Sequence, residues 1–219
     1  MLENTDFKKV HFDNGLTLLY AHNPRLPLVS LNAFLLVGKD QNPLTRAGTA
    51  SLTARLLDEG TESFTHRQIS ELLENVGGQL STFSDREITG ICFQLMSSEL
   101  SLGMRLLTEM LTRPVFPEPR FENERKRVLN HLEAMSEDPQ LIGDQLLNGQ
   151  IYAGTPLEYP LLGTPESLSE ITAKDLRIFH EQKYGARNTL LVVVGANEFE
   201  EVLELSEREL FNWENPNQE

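Results

Sequence analysis

The strongest constraint on how this chain folds is its rhythm. Short segments of period two alternate irregularly with pairs of segments of period 3.6. Residues that alternate in and out belong on strands, whereas apolar residues three and four apart share one helix face. Between residues 8 and 39 the strand rhythm holds. Val10 and Phe12 alternate with polar neighbours, Asp13-Asn14-Gly15 is a tight-turn signal, and further strands are expected at 16–20 and 29–37. Asn42 and Pro43 break the pattern. Thr45 then offers a capping hydroxyl for a helix expected over 47–58, with Gly60 as its stop.

A second helix is expected from Thr65, with Ile69, Leu72, Leu73 and Val76 on one face and Gly77-Gly78 closing it. Strands at 79–83 and 87–95 follow, then a helix at 98–111 and a long charged helix at 119–136. Pro139 interrupts that run before another helix at 141–151. Residues 153–165, with three prolines and two glycines, read as a loop. Thr172 caps a helix reaching 182, a buried strand is expected at 190–194, and a closing helix at 198–213. Strands interleaved with helix pairs define an α+β class: a mostly antiparallel sheet with helices packed on one face. No repeat or linker divides residues 1–219, so a single domain is expected. The closing Asn-Pro-Asn-Gln-Glu reads as a linker or a cut end and not as a docked terminus.

With 39% hydrophobic residues among 219, the chain can build the core such a domain needs. Its net charge of −14 argues against nucleic acid, whose phosphates demand clustered Lys and Arg. The same charge fits a solvated, self-repelling surface or a chamber that attracts basic peptides, and composition does not choose between them. Cys92 is the sole cysteine, which excludes an intramolecular disulfide; within the apolar run 91–95 it is expected to fill core space. No apolar stretch is long enough to span a bilayer, and residues 1–6 lack a targeting pattern. Cytosol and periplasm both remain open as compartments.

Several segments, in order, resemble peptidase family M16, the pitrilysin and mitochondrial-processing-peptidase-like family. Phe12-Asp13-Asn14-Gly15-Leu16 is similar to its first hairpin, and Glu74-Asn75-Val76-Gly77-Gly78-Gln79-Leu80-Ser81-Thr82 to its helix, glycine pair and following strand. Arg113-Pro114-Val115-Phe116 resembles the helix exit, and Gly163-Thr164 the loop after the long helices. Ile171-Thr172, Asp175-Leu176, Phe179-His180, Tyr184, Asn188 and Val192-Val193-Val194-Gly195 look like the final helix and strand. The resemblance covers roughly residues 8 to 196. It implies a LuxS/MPP-like metallohydrolase fold and an amino-terminal domain, about half a typical subunit, without the carboxy-terminal half.

The family's chemistry resides in an inverted zinc motif, His-x-x-Glu-His, with a distant Glu as third protein ligand. Two His at i and i+4 share a helix face, the Glu between them is the general base, and the fourth position stays open for water. In the resemblance, the first His falls on Ser51, the Glu on Ala54, the second His on Arg55 and the distant Glu on His131. A serine hydroxyl stays protonated at neutral pH, alanine accepts no proton, and a permanent guanidinium stands where a divalent cation would sit. One imidazole cannot supply the three ligands of a catalytic zinc. No catalytic residue and no zinc cofactor are therefore expected.

Alternative chemistries are weakly supported. No His is spaced i, i+4 from another His or a Cys, and no Gly-x-Ser-x-Gly elbow occurs. An apolar strand context argues against Cys92 as a nucleophile. What the resemblance leaves standing is the edge strand after the glycine pair, Gln79, Leu80, Ser81, Thr82 and Phe83, which in relatives binds extended peptides through main-chain hydrogen bonds. A merely structural edge is the competing reading. The resemblance thus implies a noncatalytic, bacterial partner subunit that completes the chamber of a heterodimeric peptidase. Its expected partners are a zinc-motif-containing M16 subunit, its own carboxy-terminal half, and extended peptides. A structural assembly subunit and an active peptidase with rearranged ligands are the alternatives.

Overall fold

The computed structural model describes residues 7–136 and 138–216. Residues 1–6, which lack a targeting pattern, lie outside that description, as do Glu137 and residues 217–219.

Six strands form one sheet: β1 (Phe7–His11), β2 (Thr17–His22), β3 (Leu28–Leu35), β4 (Gln79–Ser84), β5 (Thr89–Met96) and β6 (Thr189–Gly195). Their spatial order is β1-β2-β6-β3-β5-β4, so the sixth strand in sequence inserts at the centre and β4 forms an edge. Only β2 and β6 run parallel; every other pairing is antiparallel. Period-two alternation gives the inner strands a buried and an open side, whereas the edge strand β1 is exposed along most of its length. Leu18, Leu191, Ala33 and Ile91 form one register row on the buried side, and all are fully enclosed. The row directly behind it, Leu19, Val192, Asn32, Cys92 and Ser81, is half-buried or exposed.

Eight helices are described: α1 (Thr49–Arg55), α2 (His66–Asn75), α3 (Leu100–Thr112), α4 (Glu118–Met135), α5 (Pro139–Ile151), α6 (Pro165–Glu170), α7 (Ala173–Lys183) and α8 (Phe199–Leu210). The core lies between helices and sheet, where Met104, Leu107, Leu111, Phe121, Leu176 and Val202 meet the strand side chains. The fold is the expected α+β arrangement. Capping chemistry explains the sharpest boundaries: Thr65 and Thr172 each close a capping box, with Gln68 and Asp175 as reciprocal partners. Asp138 caps α5, and Pro139 opens it at a position where no backbone N–H is required.

Several expectations need correction. Thr45 caps nothing; α1 starts at Gly48, whose φ of 98° requires glycine, and Asn42 Oδ1 accepts from the Ala50 N–H at 2.8 Å instead. The helix ends at Leu56, and Gly60 pairs in a short bridge with Thr65. Cys92 does not fill the core, because its register places it on the open side of the sheet, half-buried, where desolvation raises its thiol pKa. The loop expected over 153–165 carries only a 3-10 turn at Pro156–Glu158, but the expected elements lack the helix that follows it, α6, which Thr164 caps with Ser167 as partner and Pro165 opens. The closing stretch is docked at Asn215. Its Nδ2 donates to the Asn14 carbonyl at 2.7 Å, and its Oδ1 accepts from the Arg187 N–H at 2.7 Å.

Candidate functional site

Of the residues singled out by the sequence, Ser51 and Arg55 on α1 meet Thr82 and Phe83 of the edge strand β4 around one cavity, whereas His131 on α4 lines a neighbouring cavity that carries no β4 residue. Ser51, Ala54 and Arg55 lie within one turn of each other on α1. Ser51 and Ala54 are buried, and Arg55 emerges at the end of the helix. On α4 the residues Arg120, Glu124, Arg127 and His131 recur every three or four positions, forming a stripe along one face. Of that stripe, motif reasoning reaches only His131. A basic–acidic–basic–imidazole series at helical spacing is the sequence signal for the other three.

Electrostatics organise the site. The Glu124 carboxylate is buried, with a side-chain exposure of 9%. Arg55 Nη1 donates to its Oε1 at 3.0 Å and Arg127 Nη1 to its Oε2 at 3.1 Å, so each oxygen has a cationic donor. A turn earlier, Arg120 Nη1 stands 3.3 Å from Glu59 Oε2, and His66 Nδ1 3.5 Å from the same oxygen. Burial raises the pKa of Asp58, and the neighbouring Glu59 charge pushes it further in the same direction. His131 is exposed on the stripe and makes no hydrogen bond among the described residues.

Two cavities open at this place. One, of about 560 Å³, is bounded by Ser51, Arg55, Glu124 and Arg127 on the helix side and by Thr82 and Ser84 on β4. The other, of about 460 Å³, carries Lys39, Arg55, Arg86 and His131. Arg55, Leu161 and Leu162 are common to both. The segment that brings these leucines in is fastened at two points. Lys39 Nζ donates to the Tyr159 carbonyl at 2.8 Å, and Ser167 Oγ donates to the Ala47 carbonyl at 2.8 Å. Lys39 is itself buried, and desolvation lowers its pKa, assisted by the Arg86 charge and opposed by Asp85.

Strand β4 borders the first cavity at Thr82, Phe83 and Ser84. Leu80, Thr82 and Ser84 face the helices, whereas Gln79, Ser81 and Phe83 point to the open side of the sheet. Among the described residues, no backbone hydrogen bond links Gln79–Ser84 to any element other than β5. Ser84 Oγ is buried and has no partner among the described residues. The arrangement offers an unpaired main-chain edge beside a row of guanidinium donors. Among the described residues, no group of three or more His, Cys, Asp or Glu side chains is arranged to hold a metal ion.

The model of the insulinase family, peptidase family M16, matches residues 17–165. This chain belongs to peptidase family M16. Among M16 relatives it is 28% identical over 192 residues to an uncharacterized zinc protease of Mycobacterium leprae, an overlap of 87% of this chain and 43% of that one. It is 25% identical over 191 residues to a probable mitochondrial-processing peptidase subunit beta of Arabidopsis thaliana, covering 87% of this chain and 36% of the relative. The crystal structure of a peptidase M16 inactive domain from Pseudomonas fluorescens superposes with a TM-score of 0.89 at 20% identity, over 97% of this chain and 52% of that one. This chain thus spans about half the length of its M16 relatives, or less. Its sequence contains no His-x-x-Glu-His.

Proposed function

We propose that this M16 chain is a noncatalytic peptidase-like domain that holds extended peptides along β4 and serves as the partner of a zinc-bearing M16 subunit. The observation that carries the reading is the ion pair between Arg55 and Glu124 beside the unpaired edge of β4. At the place where the family gathers ligands for a divalent cation, this chain supplies a permanent cation of its own. Ser51 contributes a protonated hydroxyl and Ala54 no polar group, so the donors do not fit zinc. No hydrolytic step is assigned to the chain.

Peptide holding needs no particular side chain on β4. An added strand uses the unpaired N–H and C=O groups of the edge, and its alternate side chains enter the cavity beside Arg55. Completing a heterodimeric chamber is consistent with the kinship to a processing-peptidase subunit.

The edge reading is tested with a fluorescent, unstructured decapeptide and the same peptide N-methylated at alternate residues. Main-chain pairing predicts saturable binding of the first and at least a tenfold loss for the second. Equal binding of both peptides, or none of either, contradicts strand addition at β4.

A further inference from the structure

The cationic groups around Arg55 have more hydrogen-bonding capacity than their partners use. A guanidinium carries five N–H donors. Arg55 and Arg127 each spend one, at Nη1, on Glu124. The carboxylates nearby are, by contrast, largely engaged. Glu124 is held at both oxygens, Glu59 Oε2 is ion-paired with Arg120 and His66 but accepts no hydrogen bond among the described residues, and Asp58 is biased by burial toward its neutral form. In the second cavity, Asp85 accepts from the Arg86 N–H at 2.8 Å and Glu158 from the Gly154 N–H at 2.8 Å, leaving Asp144 as the acid without such a bond among the described residues.

We infer that the cleft between β4 and α4 is a carboxylate-binding subsite, which selects extended peptides carrying Asp or Glu at the position facing Arg55 and Arg127. This inference rests on the strand-addition reading of β4 and names its substrate class. An extended peptide on that edge directs every second side chain toward the helices, as Thr82 and Ser84 are directed. A carboxylate there meets guanidinium donors from two helices, and a bidentate Arg contact suits its planar shape. The buried Ser84 hydroxyl, without a partner among the described residues, is a further donor on the same wall. The preference is opposite to the one the whole molecule's field supplies. At a net charge of −14, non-specific attraction favours basic peptides, so selection of acidic ones requires a local site.

Binding is read by fluorescence anisotropy on the full chain with four peptides of common length. One carries an interior Glu and an amidated end, one Lys at that position, one Gln, and one Gln with a free terminal carboxylate. The Glu peptide is expected to bind at least fivefold tighter than the Gln peptide and tenfold tighter than the Lys peptide, with the gap shrinking in 0.5 M salt. The free-terminus peptide separates the two sources of carboxylate, because tighter binding of that peptide than of the Glu peptide assigns the subsite to chain ends and overturns the interior preference. Arg127→Gln is expected to lower the Glu-to-Gln binding ratio severalfold, whereas Arg127→Lys, which keeps a cation beside Glu124, is expected to retain most of it; circular dichroism checks that both variants fold. If all four peptides bind alike, the carboxylate subsite is wrong while strand addition survives. If none binds, both fall.

Discussion

Arg55 Nη1 and Glu124 Oε1 stand 3.0 Å apart across the gap between α1 and α4, and that single contact fixes the character of the site. Glu124 is too enclosed to be hydrated freely, so its charge depends on the guanidinia that face it. Arg55 is still 43% exposed, which screens the pair and keeps its worth below that of a fully buried one. Replacing Arg55 by Ala is expected to lower stability by about 1–2 kcal/mol, since Arg127 still serves the second oxygen. In urea melts, Glu124→Gln in the Arg55→Ala background should recover part of the loss. Strict additivity of the two substitutions would show that the residues are not coupled.

His180 makes the domain sensitive to mild acid. It is buried between Phe116 and Tyr184, its Nε2 donates to the Leu111 carbonyl at 2.9 Å, and burial lowers its pKa to about 4. The unfolded chain, with an ordinary imidazole, takes up the proton first. Stability from this group is therefore complete above about pH 6.5 and is lost as pH falls toward 4, by roughly 3 kcal/mol in all. Urea midpoints between pH 7 and pH 4 should fall more steeply for the natural chain than for His180→Gln, which can keep the donor to Leu111. Parallel slopes would contradict a buried neutral imidazole.

The strap over the site depends on Gly163. Its φ is +83°, and a Cβ there would collide with the Ala47 carbonyl oxygen, next to the start of α1. Gly163→Ala is expected to cost about 2 kcal/mol through both the left-handed backbone and the displaced carbonyl. Gly149, inside α5 with nothing within 4 Å of an added methyl group, is the counterpart: Gly149→Ala should stabilise by about 0.5–1 kcal/mol. Thermal melts of the pair read the two signs directly.

Most of this architecture is legible in the sequence because it is written in local chemistry. The alternation along Val29, Leu31, Ala33 and Leu35 marks β3 and its buried side, and Thr65 and Thr172 mark helix starts through capping boxes closed within four residues. What escapes depends on contacts distant in sequence. Asn42 caps α1 from eight residues away, Gly48 is demanded by the Leu162 carbonyl, and Cys92 lies on the open side only because its neighbours across the sheet do. Helix α6 is different, since Thr164-Pro165 is an ordinary local helix start that the proline count of the preceding loop conceals. At the site, motif alone picks out Ser51, Ala54, Arg55 and His131. Glu124 and Arg127 escape because charged residues on a long helix usually face solvent. Packing against α1 encloses the Glu124 carboxylate, and Arg127 reaches it from one turn further along the same helix.

The central claim is that this M16 domain binds peptide without metal chemistry of its own. The decisive measurement is metal content by mass spectrometry, after incubation with equimolar zinc and gel filtration, together with cleavage of an unstructured peptide with and without chelator. The account predicts far less than one zinc per chain and no chelator-sensitive cleavage. Stoichiometric zinc whose removal by chelator abolishes cleavage would contradict it.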